Sequence, residues 1–328
     1  MTGHGPQSGL AATLDAAFAR RKRLRAVTDA LRLVNSAGDG LGGVVIEQYA
    51  RHFVIHDFRS VSEGRLQAVI DHVRARFDPA YLIVKRRLVA GGREHDSGSV
   101  RVIVDKGGSH TVVTEHGRLF NVDLNDTLNT GLFLDMRKNR RLVSELCSQK
   151  DVLNCFAYTC SFGVHCRAAG AARVVNVDVS AKILDKGRRN YELNGLVARE
   201  NEFVLADAGR YLKGAAKRDN RFDCIILDPP TFARHDGKVF SITKALPELL
   251  GQALSVLRPG GHLLVATNCS TIPAGRLESE IHAAATAAGR AIASAARLGQ
   301  DEDFPGSGTM KESFLSCILA RMGEGEPG

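Results

Sequence analysis

Residues 151–180 decide the fold: DVLNCFAYTCSFG (151–163) runs through VHCRAAG (164–170) into ARVVNVDVS (172–180). The outer stretches, DVLNCFA and ARVVNVDV, are apolar, β-branched and bounded by turn residues, as buried strands are. Between them SFGVHCRAAG (161–170) reads as a helix. Strand, helix, strand at this spacing is a βαβ unit, whose strands run parallel because the helix carries the chain back. The alternation continues outward. SAKILDKGRRNYELNG (180–195) reads as a helix with Ser180 as N-cap and Gly195 just past its end. NEFVLAD (201–207) reads as a strand, AGRYLKGAAK (208–217) as a helix and FDCIILD (222–228) as a strand. ITKALPELLGQALSVLRPGG (242–261) reads as a helix stopped by Pro259-Gly260-Gly261, and HLLVATNC (262–269) as a strand. AGRLESEIHAAATAAGR (274–290) is a helix and KESFLSCILAR (311–321) a last strand, with GLFLDMRKNRRLVSELC (131–147) a helix ahead of them all. The fold class is α/β, a Rossmann-like doubly wound sheet covered on both faces.

Upstream the pattern changes. LRLVNSAGDGLGGVVIEQYARHFVIHDF (31–58) reads as three strands with a Gly-rich turn, GRLQAVIDHVRARF (64–77) as an amphipathic helix, and AYLIVKRR (80–87) as a strand. SVRVIVDKG, HTVVTE and HGRLFNVDL follow as a hairpin region. The expected division is a disordered start and basic helix (1–28), a small α+β domain (29–108), a hairpin connection (109–129) and the doubly wound domain (130–328). The first ten residues are expected to be disordered. LAATLDAAFARRKRLRAV (10–27) reads as a helix carrying Arg20, Arg21, Lys22, Arg23 and Arg25, either a solvated helix end or a phosphate-binding arm.

Composition narrows the function. Of 328 residues, 44% are hydrophobic and 24% charged, and no stretch approaches the roughly 18–20 consecutive apolar residues of a membrane span. With no apolar signal segment at the N-terminus, a cytoplasmic location is expected and no membrane partner. Seven cysteines without a CxxC pair argue against a disulfide framework and a zinc site, and the scattered His95 and His165 against any metal. Lys and Arg exceed Asp and Glu by 44 − 36 = 8, which suits a polyanion such as RNA. A homodimer is compatible with all of this.

Doubly wound sheets bind ligands beyond the C-terminal ends of their strands. Those ends carry NCFAYTCSFG (154–163), Asp178, Asp207, Asp228-Pro229-Pro230-Thr231-Phe232, and Asn268-Cys269-Ser270. No GxGxxG follows the first strand and no GxxxxGK[ST] is present, so neither a dinucleotide nor a nucleoside triphosphate is the favoured ligand. An acid twenty residues past Tyr158 suits a ribose diol, and a second acid an adenine amino group. S-adenosylmethionine is then the better cofactor.

With these pieces in order, residues 30–320 resemble a class I S-adenosylmethionine-dependent methyltransferase of the bacterial 23S ribosomal RNA cytosine-5 family. The resemblance rests on TGLFLDMR (130–137), NCFAYTCSFG, VVNVDVS (174–180), DPPTFAR (228–234), RPGGHLL (258–264), TNCS (267–270) and the upstream LRLVNSAGDGLGGVVIEQYA (31–50). It implies an antiparallel last strand, RNA binding by the small domain, and a cofactor held by Phe156, Tyr158, Thr159, Asp178 and Asp207, with Arg137 reaching its carboxylate as a fork donor. Three departures stand out. The family's N-terminal PUA domain is not expected in the residues ahead of 30, Cys160 replaces the glycine of Tyr-Thr-Gly, and Met136 stands where glutamine is usual.

Cytosine carbon 5 is a poor nucleophile, and a thiolate adding at carbon 6 makes it enamine-like. Cys269, just past the fifth strand, fits that role, and Asp228 the stabilisation of the pyrimidine ring. Pro229 and Pro230 leave carbonyls for a base amine, while Phe232 and Arg234 are placed to stack on and grip a flipped nucleotide. Two alternatives stay open: a guanine-N7 or other base methyltransferase that needs no cysteine, and a non-catalytic binding module with Cys160 blocking the methionine end.

Overall fold

The computed structural model describes residues 6–58, 61–86, 88–90, 93–95, 99–126, 129–197, 199–235, 238–306 and 315–324. The chain divides into two compact units, one reaching Arg137 and taking back a segment that starts at Asp301, the other holding the rest. The boundary thus falls after Arg137 rather than at residue 130, and the hairpin region belongs to the first unit.

In the first unit, helix α1 (Pro6–Arg20) precedes strand β1 (Ala30–Asn35), β2 (Val44–Tyr49) and β3 (His52–Asp57). Helix α2 (Glu63–Phe77) then carries the chain to β4 (Tyr81–Arg86), parallel to β3. A short ribbon (β5, Leu88–Ala90; β6, Arg93–His95) leads to β7 (Val100–Asp105), which closes a sheet of order β1-β2-β3-β4-β7. Strands β8 (His110–Glu115) and β9 (Arg118–Asp123) pair as a separate hairpin. Leu66, Val69, Ile70 and Val73, one face of α2, are fully buried against the sheet. The expected disorder of the first ten residues does not hold for 6–10, which begin α1, a proline at its first turn. At the other end the helix stops at Arg20 and a turn leads to a 3-10 segment, Leu24–Ala26.

The second unit carries α3 (Arg137–Ser144), β10 (Asp151–Cys155), α4 (Ser161–Ala168), β11 (Arg173–Asp178), α5 (Ala181–Leu193), β12 (Phe203–Leu205), α6 (Ala208–Lys217) and β13 (Phe222–Leu227). A hairpin, β14 (Phe232–His235) with β15 (Lys238–Ser241), precedes α7 (Ile242–Val256), β16 (Leu257–Thr267), α8 (Ala274–Ala287), β17 (Ile292–Leu298) and β18 (Ser316–Met322). The sheet order is β12-β11-β10-β13-β16-β18-β17. All contacts among β12, β11, β10, β13 and β16 are parallel, and β18 runs antiparallel to both neighbours. Strand order reverses at β10, so the crevice lies beyond the ends of β10 and its neighbours.

Three expectations need correction. The helix expected over 131–147 is a 3-10 turn, Leu134–Met136, followed by the shorter α3. Helix α7 ends at Val256, and Arg258-Pro259-Gly260-Gly261 already belong to β16. Strand β17 was not expected: it is an Ala- and Ser-rich edge strand with little burial and no alternation to mark it. Among the described residues, no helix is long and apolar enough to cross a membrane.

Candidate active site

Strand β10 ends at Cys155, and the loop after it is tightly coiled. Phe156, Tyr158 and Cys160 all have left-handed backbones, with φ of 58°, 49° and 59°. Each such residue costs on the order of 1–2 kcal/mol when it is not glycine, so the surroundings must hold the loop. They do so from both sides. The Tyr158 amide donates to Asp178 Oδ2 at 3.0 Å, and the Ser180 amide to Asp178 Oδ1 at 3.0 Å. Asn190 Nδ2 of α5 donates to the Thr159 carbonyl at 3.0 Å, and Thr159 itself is buried. Asp178 therefore fixes the end of β11 to the loop after β10.

Cys160 is fully buried and packs against α5. A β-carbon on Gly187 of α5 would lie 2.3 Å from the Cys160 sulfur, so the thiol occupies the space a side chain there would need. Burial, and then the charge of Asp178, push this thiol's pKa up, which keeps it protonated. This packing against α5 gives the Cys160 side chain a place apart from the alternative in which it blocks the methionine end.

Beside the loop lies a cavity of about 610 Å³, bordered by Phe156, Asp207, Phe240, Leu249 and Gln252 among others. Phe156 and Phe240 face each other with ring centroids 5.7 Å apart. Asp207 caps α6, its Oδ1 accepting from the Arg210 amide at 2.9 Å, while standing at the cavity's edge. Gln252 Oε1 is buried without a hydrogen-bond donor among the described residues, although its amide nitrogen donates to Glu248 at 2.8 Å. Two aromatic walls, an acid and an orphaned acceptor suit a nucleoside with an exocyclic amine. Lys213 on the rim pairs with Glu248 at 2.8 Å.

Sequence reading missed Phe240 and Gln252. Phe240 lies on the β14–β15 hairpin, whose two-residue step between His235 and Lys238 reads Asp-Gly, a hairpin signal that was available. Gln252 carried no signal, because a glutamine on an amphipathic helix is ordinarily solvated.

The remaining residues sit at the neighbouring strand ends. Asp228 follows β13 half-buried, Pro229 is buried and Pro230 exposed. Phe232 opens β14 with 55% of its surface exposed, and the Arg234 side chain lies outside the described residues. Cys269 follows β16, the strand next to β13, with its sulfur 3.1 Å from Thr271 Oγ1 and 5% of its surface exposed.

Arg137 is corrected. Its guanidinium is fully buried in the first unit, donating to both Asp303 oxygens at 2.8 and 3.0 Å, to Asp301 at 3.3 Å and to the Ala30 carbonyl at 3.0 Å. Burial alone lowers its pKa, yet the hydrogen bonds and charge of Asp303 leave it raised. A fork spent on these carboxylates does not serve the cofactor.

A profile of S-adenosylmethionine-dependent methyltransferases matches residues 55–310. The chain belongs to that family. It is similar to ribosomal RNA large subunit methyltransferase I of Aeromonas salmonicida, 34% identical over 295 residues, which are 88% of this chain and 74% of the relative. The corresponding protein of Photobacterium profundum is 33% identical over 86% of this chain and 72% of its own. Among solved structures, a chain described as a methyltransferase and crystallised with S-adenosylhomocysteine superposes with a TM-score of 0.85 at 24% identity, covering 98% of this chain and 83% of that one. That likeness supports the Rossmann-like methyltransferase fold. As a member of the family, the protein uses S-adenosylmethionine. Among the described residues no three His, Cys, Asp or Glu side chains converge as metal ligands.

Proposed function

We propose that the protein methylates large-subunit ribosomal RNA at carbon 5 of a cytosine, through a covalent bond to Cys269. The observation that carries this reading is the juxtaposition of two strand ends: Cys269 follows β16, and Asp228-Pro229-Pro230 follows β13, its parallel neighbour. The relatives named for large-subunit RNA, together with the net charge of +8, support the substrate class.

In this reading Asp178 holds the ribose diol of the cofactor, Asp207 faces its adenine amine, and Phe156 stacks beside the base, with Tyr158 and Thr159 shaping the loop under it. Bound S-adenosylmethionine supplies an electrophilic methyl group. The Cys269 thiolate adds to carbon 6 of the cytosine, with Thr271 as hydrogen-bond partner of the sulfur. Carbon 5, now enamine-like, takes up the methyl group. A general base then takes the carbon 5 proton, and the electron pair of that bond re-forms the 5,6 double bond as the bond from carbon 6 to sulfur breaks and Cys269 leaves as thiolate. Asp228 binds ring N3 or the exocyclic amine, the Pro229 and Pro230 carbonyls accept from that amine, and Phe232 and Arg234 stack on and grip the extruded nucleotide.

Nucleoside mass spectrometry of large-subunit RNA from cells with and without the gene tests this. One 5-methylcytidine is expected to disappear with the gene, and an unchanged pattern contradicts the reading. The burial of Cys269 within the second unit's core favours a second reading, methylation of a base nitrogen without a covalent step. Cys269→Ala separates the two, because full turnover by that variant leaves only the second.

A further inference from the structure

Four of the five cations at residues 20–25 fall into two groups. Arg20 and Arg21 turn inward onto Asp39, each with a 2.6 Å contact, and the fully buried Arg21 also donates to the Ala17, Arg32 and Asp303 carbonyls. These two cations hold the first unit together. Lys22 and Arg25 instead border a groove of about 760 Å³ whose opposite wall is the last turns of α2, with His72, Arg76 and Phe77. Phe18 meets Phe77 edge-on at 5.0 Å. The guanidinium carbons of Arg25 and Arg76 lie 5.4 and 5.7 Å from the centre of the Phe77 ring, so two like charges share one aromatic.

Among the described residues no carboxylate pairs with Lys22, Arg25 or Arg76, and the acid lining the groove, Asp15, is engaged by His72 at 2.9 Å. Burial and the charge of Arg76 lower the Arg25 pKa, and its guanidinium has a neutral partner, the Gln48 Oε1 at 3.0 Å. Three converging cations against one acid, itself engaged by His72, favour a polyanion, and a ring flanked by guanidinium planes favours flat bases among polyanions. Half-buried Phe77 offers no apolar protrusion to a membrane.

We propose that this groove binds a single-stranded segment of the RNA substrate, with phosphates on Lys22 and Arg76 and a base stacked on the Arg25–Phe77 pair. The inference rests on the reading of an RNA substrate and adds to it a second contact, on the first unit.

Binding of the full chain to a single-stranded fragment of large-subunit ribosomal RNA, titrated over a range of salt, provides the test. In the variant Lys22→Ser/Arg25→Ser/Arg76→Ser, Kd is expected to rise at least about tenfold. The slope of log affinity against log salt is expected to fall by about 1.4, at roughly 0.7 for each of the two phosphate contacts on a single strand. Affinity for S-adenosylmethionine and Tm are expected to be unchanged. Phe77→Leu, which keeps the contact with Phe53 apolar, is expected to weaken binding several-fold with no change in salt slope. A folded triple variant with the affinity and slope of the native chain overturns the groove and leaves the RNA reading standing. Polyglutamate competing as well as RNA at equal charge also overturns it. If the native chain binds no RNA and 5-methylcytidine is unchanged in cells lacking the gene, the substrate reading falls with it.

Discussion

At the scale of single residues, Asp178 is the side chain on which most depends. Both of its oxygens accept backbone amides, one from the Tyr158 loop and one from Ser180, and its position at the end of β11 is where a ribose diol is read. In the proposed reading, replacing it with alanine removes the diol partner, and it also releases a loop with three left-handed residues. Asp178→Ala is therefore expected to weaken S-adenosylmethionine 10- to 100-fold, about 1.4–2.8 kcal/mol, as read by calorimetry, and affinity within twofold of native contradicts that role. Acids at strand ends were legible in the sequence because position on a predicted strand and chemistry agree there. Arg137 was not, because its partner Asp303 lies 166 residues away in the chain, and no local pattern reports a pairing at that distance.

At the scale of elements, the loop after β10 and helix α5 were fitted to each other. Cys160 fills the space that Gly187 leaves empty. In Gly187→Ala the new methyl meets the sulfur, and overpacking of this kind costs about 1–3 kcal/mol. Cys160→Gly both removes the sulfur and suits the left-handed backbone, so it is expected to restore most of that loss. A double-mutant cycle by urea denaturation checks this, and additive effects would show that the two positions are not coupled. Such coupling is invisible in the sequence, where a cysteine in place of the usual glycine reads as an obstruction. The regular helices and buried strands were legible through their periodicity. The edge strand β17 and the β14–β15 hairpin were overlooked, the first because Ala and Ser do not advertise a strand, the second because its Asp-Gly step lies inside a stretch otherwise read as a loop.

At the scale of the whole molecule, the chain leaves the first unit at Arg137 and returns to it at Asp301. The buried Arg137–Asp303 pair fastens that return segment, and removing one partner of such a pair costs about 3–5 kcal/mol because the other charge stays buried. Asp303→Ala is expected to lower the stability of the first unit by that amount in urea, and a change below about 1 kcal/mol contradicts the fastening role. The sequence divided into four segments, and the crossing of the chain between the two units was not legible, since a strand-and-helix pattern does not record which unit a loop rejoins. The central claim is chemical: a base of the RNA passes through a bond to Cys269. Its most direct measurement uses RNA containing 5-fluorocytosine, which has no carbon 5 proton to lose and so holds the adduct. Incubated with this RNA and S-adenosylmethionine, the native protein is expected to give an RNA–protein species that survives denaturing electrophoresis, with the link at Cys269 by mass spectrometry, and Cys269→Ala is expected to give none. Methylation of unmodified RNA by the native protein with no such species, or an undiminished species in Cys269→Ala, contradicts the covalent mechanism.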